Sequence, residues 1–148
     1  NNNVQPNVRA LMFNILSHLN NFHLINSGQW NRVVNKQNQD IFIQTTINSK
    51  FALAPRGYGR NSFRFFEIFK LGTIPIYVWN DLDWLPFKDE IDYKKLCINI
   101  HYSQLNNLEN ILLNISESEY NNMLNYYNTI KHLFSVEGLY DKIIKLES

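Results

Sequence analysis

Hydrophobic positions near the start of the chain recur every three or four residues, at Val8, Leu11, Met12, Ile15, Leu16 and Leu19, and predict a helix over residues 7–19 with one core-facing stripe. Residues 22–25 read as a short strand and residues 41–47 as a short helix leading into the next apolar run. The period then changes. Residues 50–54 are too few for a helix and too apolar for a surface loop, so they predict a buried strand, which Pro55 stops. A helical stretch at 63–71 and a second strand at 74–78 follow, with Gly72 between them as a left-handed helix terminator. Further on, residues 96–100 read as another strand, and Leu105, Leu108, Ile111 and Leu112 trace an amphipathic helix begun by Ser103. Ser116 and Glu119 make a capping box ahead of a helix carrying Tyr120, Met123, Leu124, Tyr127, Ile130 and Phe134. A last helix carries Leu139, Tyr140, Ile143 and Ile144.

Strand, crossover helix and strand form the unit from which parallel sheets are built, so the chain reads as α/β. Such sheets bind ligands at the carboxyl ends of their strands, which here is the loop between Pro55 and Phe63. Gly57 and Gly59 let the backbone turn sharply and approach a ligand closely, while Arg56 and Arg60 bring positive charge to the same point. Asn61 or Ser62 caps the following helix, whose free amides and dipole add to the attraction for an anion. Phe63, Phe65, Phe66, Ile68, Phe69 and Leu71 spread around that helix and predict burial on nearly all its sides. Arg64 and Glu67 lie three apart and can both face the loop end of the strand. Either they form an ion pair worth about 0.2–0.5 kcal/mol, or Arg64 meets a phosphate while Glu67 accepts hydrogen bonds from sugar hydroxyls. Charge set in so apolar a helix favours the second.

The run SKFALAPRGYGRNSFRFFEIFKLGTIPIYVWND at residues 49–81, followed by LPF at 85–87, resembles the signature of the exostosin-type glycosyltransferases, inverting enzymes of the GT-B fold that use nucleotide sugars. The looser spacing of Ser62, Glu67, Gly72 and Pro75 is similar to the donor half of GT-B transferases at large, in which an acidic residue on this helix holds the ribose. The likeness is strong over residues 49–100 and weak elsewhere. It implies a Rossmann-like three-layer domain with a parallel sheet, the C-terminal (donor) half of a GT-B glycosyltransferase. It implies further that Glu67 binds ribose hydroxyls and that Arg56, Ser62 and Arg64 surround the diphosphate and sugar. The implied donor is a UDP-sugar, used without a metal or other cofactor, and the implied acceptor is a glycan hydroxyl. The catalytic base is then expected in an N-terminal acceptor domain or partner chain. Family members often carry cysteine beside the PRG segment, whereas this chain has Ala52 and Ala54, which argues against a lumenal disulfide there and leaves the pocket intact.

Length changes the picture. A chain of 148 residues and 17.6 kDa suits a single nucleotide-sugar-binding domain over residues 1–148, whereas a GT-B enzyme needs two domains facing a cleft. The expectation is a segment of a longer protein, without the acceptor domain. Residues 1–7 are also too polar to supply the first strand that the resemblance implies. Hydrophobic content of 45% is ample for a folded interior. Residues 1–80 carry net +6 and residues 81–148 net −5, so the loop with its arginines lies in the positive part. The overall charge of +1 argues against a general nucleic-acid binder. Cys97, the sole cysteine, reads as a buried strand residue and allows no disulfide within the chain. No apolar run nears the roughly 18 residues of a membrane span, and the polar start is no signal peptide, so no membrane segment is expected, although exostosin-type enzymes are usually Golgi membrane proteins.

Asp81-Leu82-Asp83 has the spacing by which another transferase fold binds a divalent metal, but two carboxylates make an incomplete site and no metal is assigned. Asp81 is read as lining the sugar pocket from the end of the 74–78 strand, and Asp83 as solvated. His18, His23, His101 and His132 show no ligand spacing and are read as surface or core residues. Tyr58 either stacks on the base or covers the loop, and Trp79 and Trp84 are read as packing residues around the LPF turn, with a carbohydrate platform as the alternative. The donor-binding set is therefore Arg56, Gly57, Tyr58, Gly59, Arg60, Ser62, Arg64, Glu67 and Asp81. Two other functions compete with a transferase. One is a scaffold that keeps the nucleotide fold without turnover and pairs with an active transferase through its C-terminal helices. The other is single-stranded nucleic-acid binding through Tyr58, Phe63 and the arginines.

Overall fold

The side chain of Asn7 opens the first helix. In the computed structural model, which describes residues 7–24, 36–56 and 63–138, its Oδ1 accepts from the amides of Arg9 and Ala10 at 3.1 and 3.2 Å, so α1 (Val8–Leu16) begins with its free amides satisfied. Val8, Met12 and Leu16 then point inward on one face. Residues 22–24 form no strand, contrary to expectation: the Phe22 amide turns back to the Leu19 carbonyl, and Ile25 lies outside the described residues. The next helix is longer than its apolar residues suggest, with α2 spanning Lys36–Ile47. Buried Thr73 ties its end to the sheet by donating to the Thr46 carbonyl at 2.8 Å.

Three parallel strands follow in sequence and in space, β1 (Phe51–Pro55), β2 (Ile74–Trp79) and β3 (Ile98–His101), with Phe51 opposite Ile74 and Ile76 opposite Ile98. Pro55 does not stop β1 but ends it. The Arg56 amide donates to the Val78 carbonyl at 3.1 Å, so strand alternation turns Pro55, which has no amide hydrogen, away from β2. Helix α3 (Phe63–Lys70) crosses from β1 to β2 and closes on Gly72 at φ +80°. There the Thr73 amide reaches the Ile68 carbonyl and the Gly72 amide that of Phe69, the paired bonds of a Schellman terminus.

Helix α3 is not buried on nearly all sides. Phe65, Ile68 and Phe69 face the sheet, while Arg64, Glu67 and Lys70, spaced by three, share a solvent face. The expected strand at 96–100 also shifts, because Leu96 ends a short helix, α4 (Tyr93–Leu96), and Cys97 is its extended cap. Ser103 does not cap the helix after β3. His101 does, accepting from the Ser103 amide at the start of a 3-10 helix, Tyr102–Asn107, that runs into α5 (Leu108–Leu113). The Ser116–Glu119 capping box opens α6 (Glu117–Ile130) as expected, and the chain then tightens into a 3-10 turn, Lys131–Phe134, in place of further α-helix. The helix expected at 139–144 lies outside the described residues.

Alternation along the strands separates two cores. Ile74, Ile76, Val78, Ile98 and Ile100 pack with α1, Leu105 and Leu108, while Ala54, Tyr77 and Cys97 pack with Phe65, Ile68 and Phe69 of α3. Helix α6 joins both, through Met123 in the first and Ile130 in the second. The result is an α/β domain of three layers whose strands all point their carboxyl ends the same way. Among the described residues no helix is long and apolar enough to cross a membrane.

Candidate functional site

The carboxyl ends of the strands gather the polar side chains that the two cores exclude. Arg56 leaves the end of β1 and extends Nη1 to Asn80 Oδ1 and Asp81 Oδ1, each 2.5 Å away, just past the end of β2. Both members of the ion pair are largely covered, with side chains 21% and 26% exposed, so the guanidinium is held in one place instead of sweeping through solvent. Partial desolvation of Asp81 opposes its ionisation. The Leu82 amide, donating to Oδ1 at 2.7 Å, and the Arg56 guanidinium together outweigh this and hold the carboxyl below its ordinary range. Two residues predicted for the site are thus brought into contact. The charge of Arg56 is shared with a carboxylate, and an incoming anion must compete with it.

Arg64 and Glu67 form a second pair, at 3.3 Å, with both side chains about half exposed. The i, i+3 ion pair considered from the sequence is therefore realised, and at this exposure it contributes a few tenths of a kcal/mol. The Arg64 guanidinium also lies over the Phe42 ring of α2, 3.7 Å from its centroid. Both groups stand on the solvent face of α3, so the burial in an apolar helix that favoured a ligand role over an ion pair is not found. Gly57, Tyr58, Gly59, Arg60 and Ser62 lie outside the described residues.

Several residues at this edge were missed in the sequence. Trp79 Nε1 donates to Asn99 Oδ1 at 2.9 Å, and Asn99 Nδ2 donates to Asp83 Oδ2 at 2.7 Å. Lys88 Nζ lies 3.4 Å from the other oxygen of Asp83 and donates to its carbonyl at 2.5 Å. Asp83 is thus fixed in a network and not simply solvated. His101 places Nε2 3.0 Å from the Asn80 carbonyl, which makes it a member of the strand-end cluster and not a scattered surface or core residue. The available signal was position: Asn80 follows one strand directly, and His101 ends another.

The D-x-D pair divides between two duties, Asp81 on Arg56 and Asp83 on Asn99 and Lys88. Among the described residues no group of three or more His, Cys, Asp or Glu side chains is placed to hold a metal ion. A hollow of about 530 Å³ lies on the flank by α4, lined by Asp83, Lys88, Glu90, Asp92, Asn99 and Tyr126. Its carboxylates outnumber its lysines and would repel a diphosphate. Buried Cys97 donates to the Tyr93 carbonyl at 3.6 Å, and burial pushes its thiol well up, as suits a packing residue.

Comparison with known proteins gives this geometry a family context. The family model for the Exostosin GT47 domain matches residues 1–115. Over 69 residues, 46% of the chain, the sequence is 39% identical to Exostosin-1 of Drosophila melanogaster, covering 8% of that protein. Over 140 residues, 92% of the chain, it is 23% identical to the Exostosin-1 homolog of Caenorhabditis elegans, covering 36% of that protein. The chain therefore spans a minor part of the length of these relatives.

Proposed function

The chain belongs to the Exostosin GT47 domain family, and from that premise we propose that it is the donor-binding domain of a glycosyltransferase, the C-terminal half of a GT-B enzyme. The observation that carries the proposal is the guanidinium of Arg56, fixed by Asn80 and Asp81 at the carboxyl edge of a parallel sheet where the chain enters its glycine and arginine loop. A UDP-sugar lays its pyrophosphate against Arg56 and the amides at the start of α3, while Glu67 accepts from the ribose hydroxyls and Arg64 supports the phosphate side.

Transfer then proceeds as one displacement. The acceptor hydroxyl oxygen attacks the anomeric carbon from the face opposite UDP, the bond from that carbon to the phosphate oxygen breaks, and the configuration inverts. The hydroxyl proton passes to a base in the acceptor domain. Negative charge grows on the departing diphosphate, and the Arg56 guanidinium, giving up part of its contact with Asp81, stabilises it in place of a metal. Calorimetry with UDP and UDP-sugars tests the reading. Wild type is expected to bind UDP, and Glu67→Ala to weaken it. Absence of binding, or binding indifferent to Glu67→Ala and Arg56→Ala, would overturn it.

A scaffold without turnover is favoured by a different observation: Arg56 and Arg64 each already have a carboxylate partner within the chain. That reading predicts a folded protein with no response to UDP.

A further inference from the structure

His101 closes β3 with contacts on every side of its ring. Nε2 is 3.0 Å from the Asn80 carbonyl, Nδ1 is 2.8 Å from Ser103 Oγ and accepts from the Ser103 amide at 3.4 Å, and the Trp79 ring meets it edge-on with centroids 4.8 Å apart. A carbonyl oxygen can only accept, so Nε2 carries the proton and Nδ1 keeps the lone pair that caps the 3-10 helix. Asn80 is bound at both ends. Its main-chain oxygen takes His101 and its side-chain oxygen takes Arg56, so one line of hydrogen bonds runs over the carboxyl ends of β3, β2 and β1. The pairing of Trp79 with His101 in the sheet register sets the spacing of that line.

We propose that His101 is a positioning residue for nucleotide binding: by holding the Asn80 carbonyl it fixes the amide that orients the Arg56 guanidinium toward the pyrophosphate. The proposal rests on the reading of Arg56 as a diphosphate ligand. His101 itself touches no substrate. Its two nitrogens do separable work, since Nδ1 stabilises the following helix and Nε2 orients Asn80.

Two substitutions divide these duties. In His101→Asn the short side chain can still accept from the Ser103 amide but cannot reach Asn80. In His101→Gln the terminal amide nitrogen can take the place of Nε2 while the cap is lost. Each variant of the full chain is tested for melting temperature, for UDP affinity by calorimetry, and for the titration of the Asp81 carboxyl by NMR. The expected result is that His101→Asn melts near wild type, loses about tenfold in UDP affinity, the loss of one positioning hydrogen bond, and titrates Asp81 nearer its ordinary range as Arg56 loosens. His101→Gln is expected to melt lower while keeping both UDP affinity and the depressed Asp81 titration. An unchanged Asp81 titration in His101→Asn, or a folded His101→Gln that has lost the depressed one, overturns the proposal. If wild type does not bind UDP, the donor reading fails separately, and the Asp81 titrations still decide whether His101 positions Arg56.

Discussion

Asp81 couples the site to pH in a direction that can be worked out. Its carboxyl is held below the unfolded reference of 3.8, so its contribution to stability is present above pH 3.8 and is lost as pH falls through the folded value. Asp81→Asn is therefore expected to be less stable than wild type at neutral pH, with the gap closing as pH falls below 3.8. Paired urea titrations across that range check it, and a gap that stays constant would separate Asp81 from Arg56. Arg56→Ala removes the guanidinium itself and is expected to weaken UDP by about 10- to 100-fold, the range for losing a hydrogen bond to a charged partner. Arg56→Lys, which keeps the charge but not the fork, should fall between the two. At this scale the sequence shows Arg56 and Asp81 clearly, because Arg56 directly follows one short apolar run and Asp81 follows a second with one residue between. It does not show Asn80 or His101 as partners. Their contact depends on Trp79 standing opposite His101, and register between strands separated by 18 residues of loop and short helix leaves no period along the chain.

Elements whose signals are local were the legible ones. Gly72 and the Ser116–Glu119 box act within one turn of chain, and both occur where the pattern places them. Ser116→Ala is expected to cost about 1 kcal/mol by freeing an amide at the start of α6. Gly72→Ala is expected to cost about 1 kcal/mol for a different reason: a Cβ there meets open space, so the penalty lies in the φ of +80° alone. Thermal melts of both variants measure this, and Gly72→Asn, which tolerates that conformation better, should recover part of the loss. What the pattern misjudged were elements set by packing. The many phenylalanines of α3 suggest burial all round, yet the sheet covers one face only, and Arg64, Glu67 and Lys70 claim the other. Pro55 usually breaks a strand, but at a position whose amide faces away from β2 it costs no hydrogen bond.

Across the described residues, two cores hold the sheet from opposite faces while Arg56, Asn80 and Asp81 at the strand ends belong to neither, so folding and the proposed binding can be perturbed separately. Leu108 is fully buried in the first core, on the face opposite α3, and Leu108→Ala is expected to cost about 2–5 kcal/mol. Its place is in that core and not in the Arg56–Asn80–Asp81 line at the strand ends, so the affinity for UDP is expected to survive in whatever fraction remains folded. Ligand linkage makes this measurable in one assay. At a UDP concentration of about 100 times the dissociation constant, binding to the folded state alone adds about 2.7 kcal/mol. For a chain of this length that corresponds to a rise in melting temperature of roughly 5–10 °C. Leu108→Ala should lower the starting temperature and keep the rise, whereas Arg56→Ala should shrink the rise at the same UDP concentration even where its starting temperature is close to wild type. Were both variants to lose the rise in proportion to their stability, the nucleotide would be reading the fold as a whole, and the strand-end arginine would have no special claim to it.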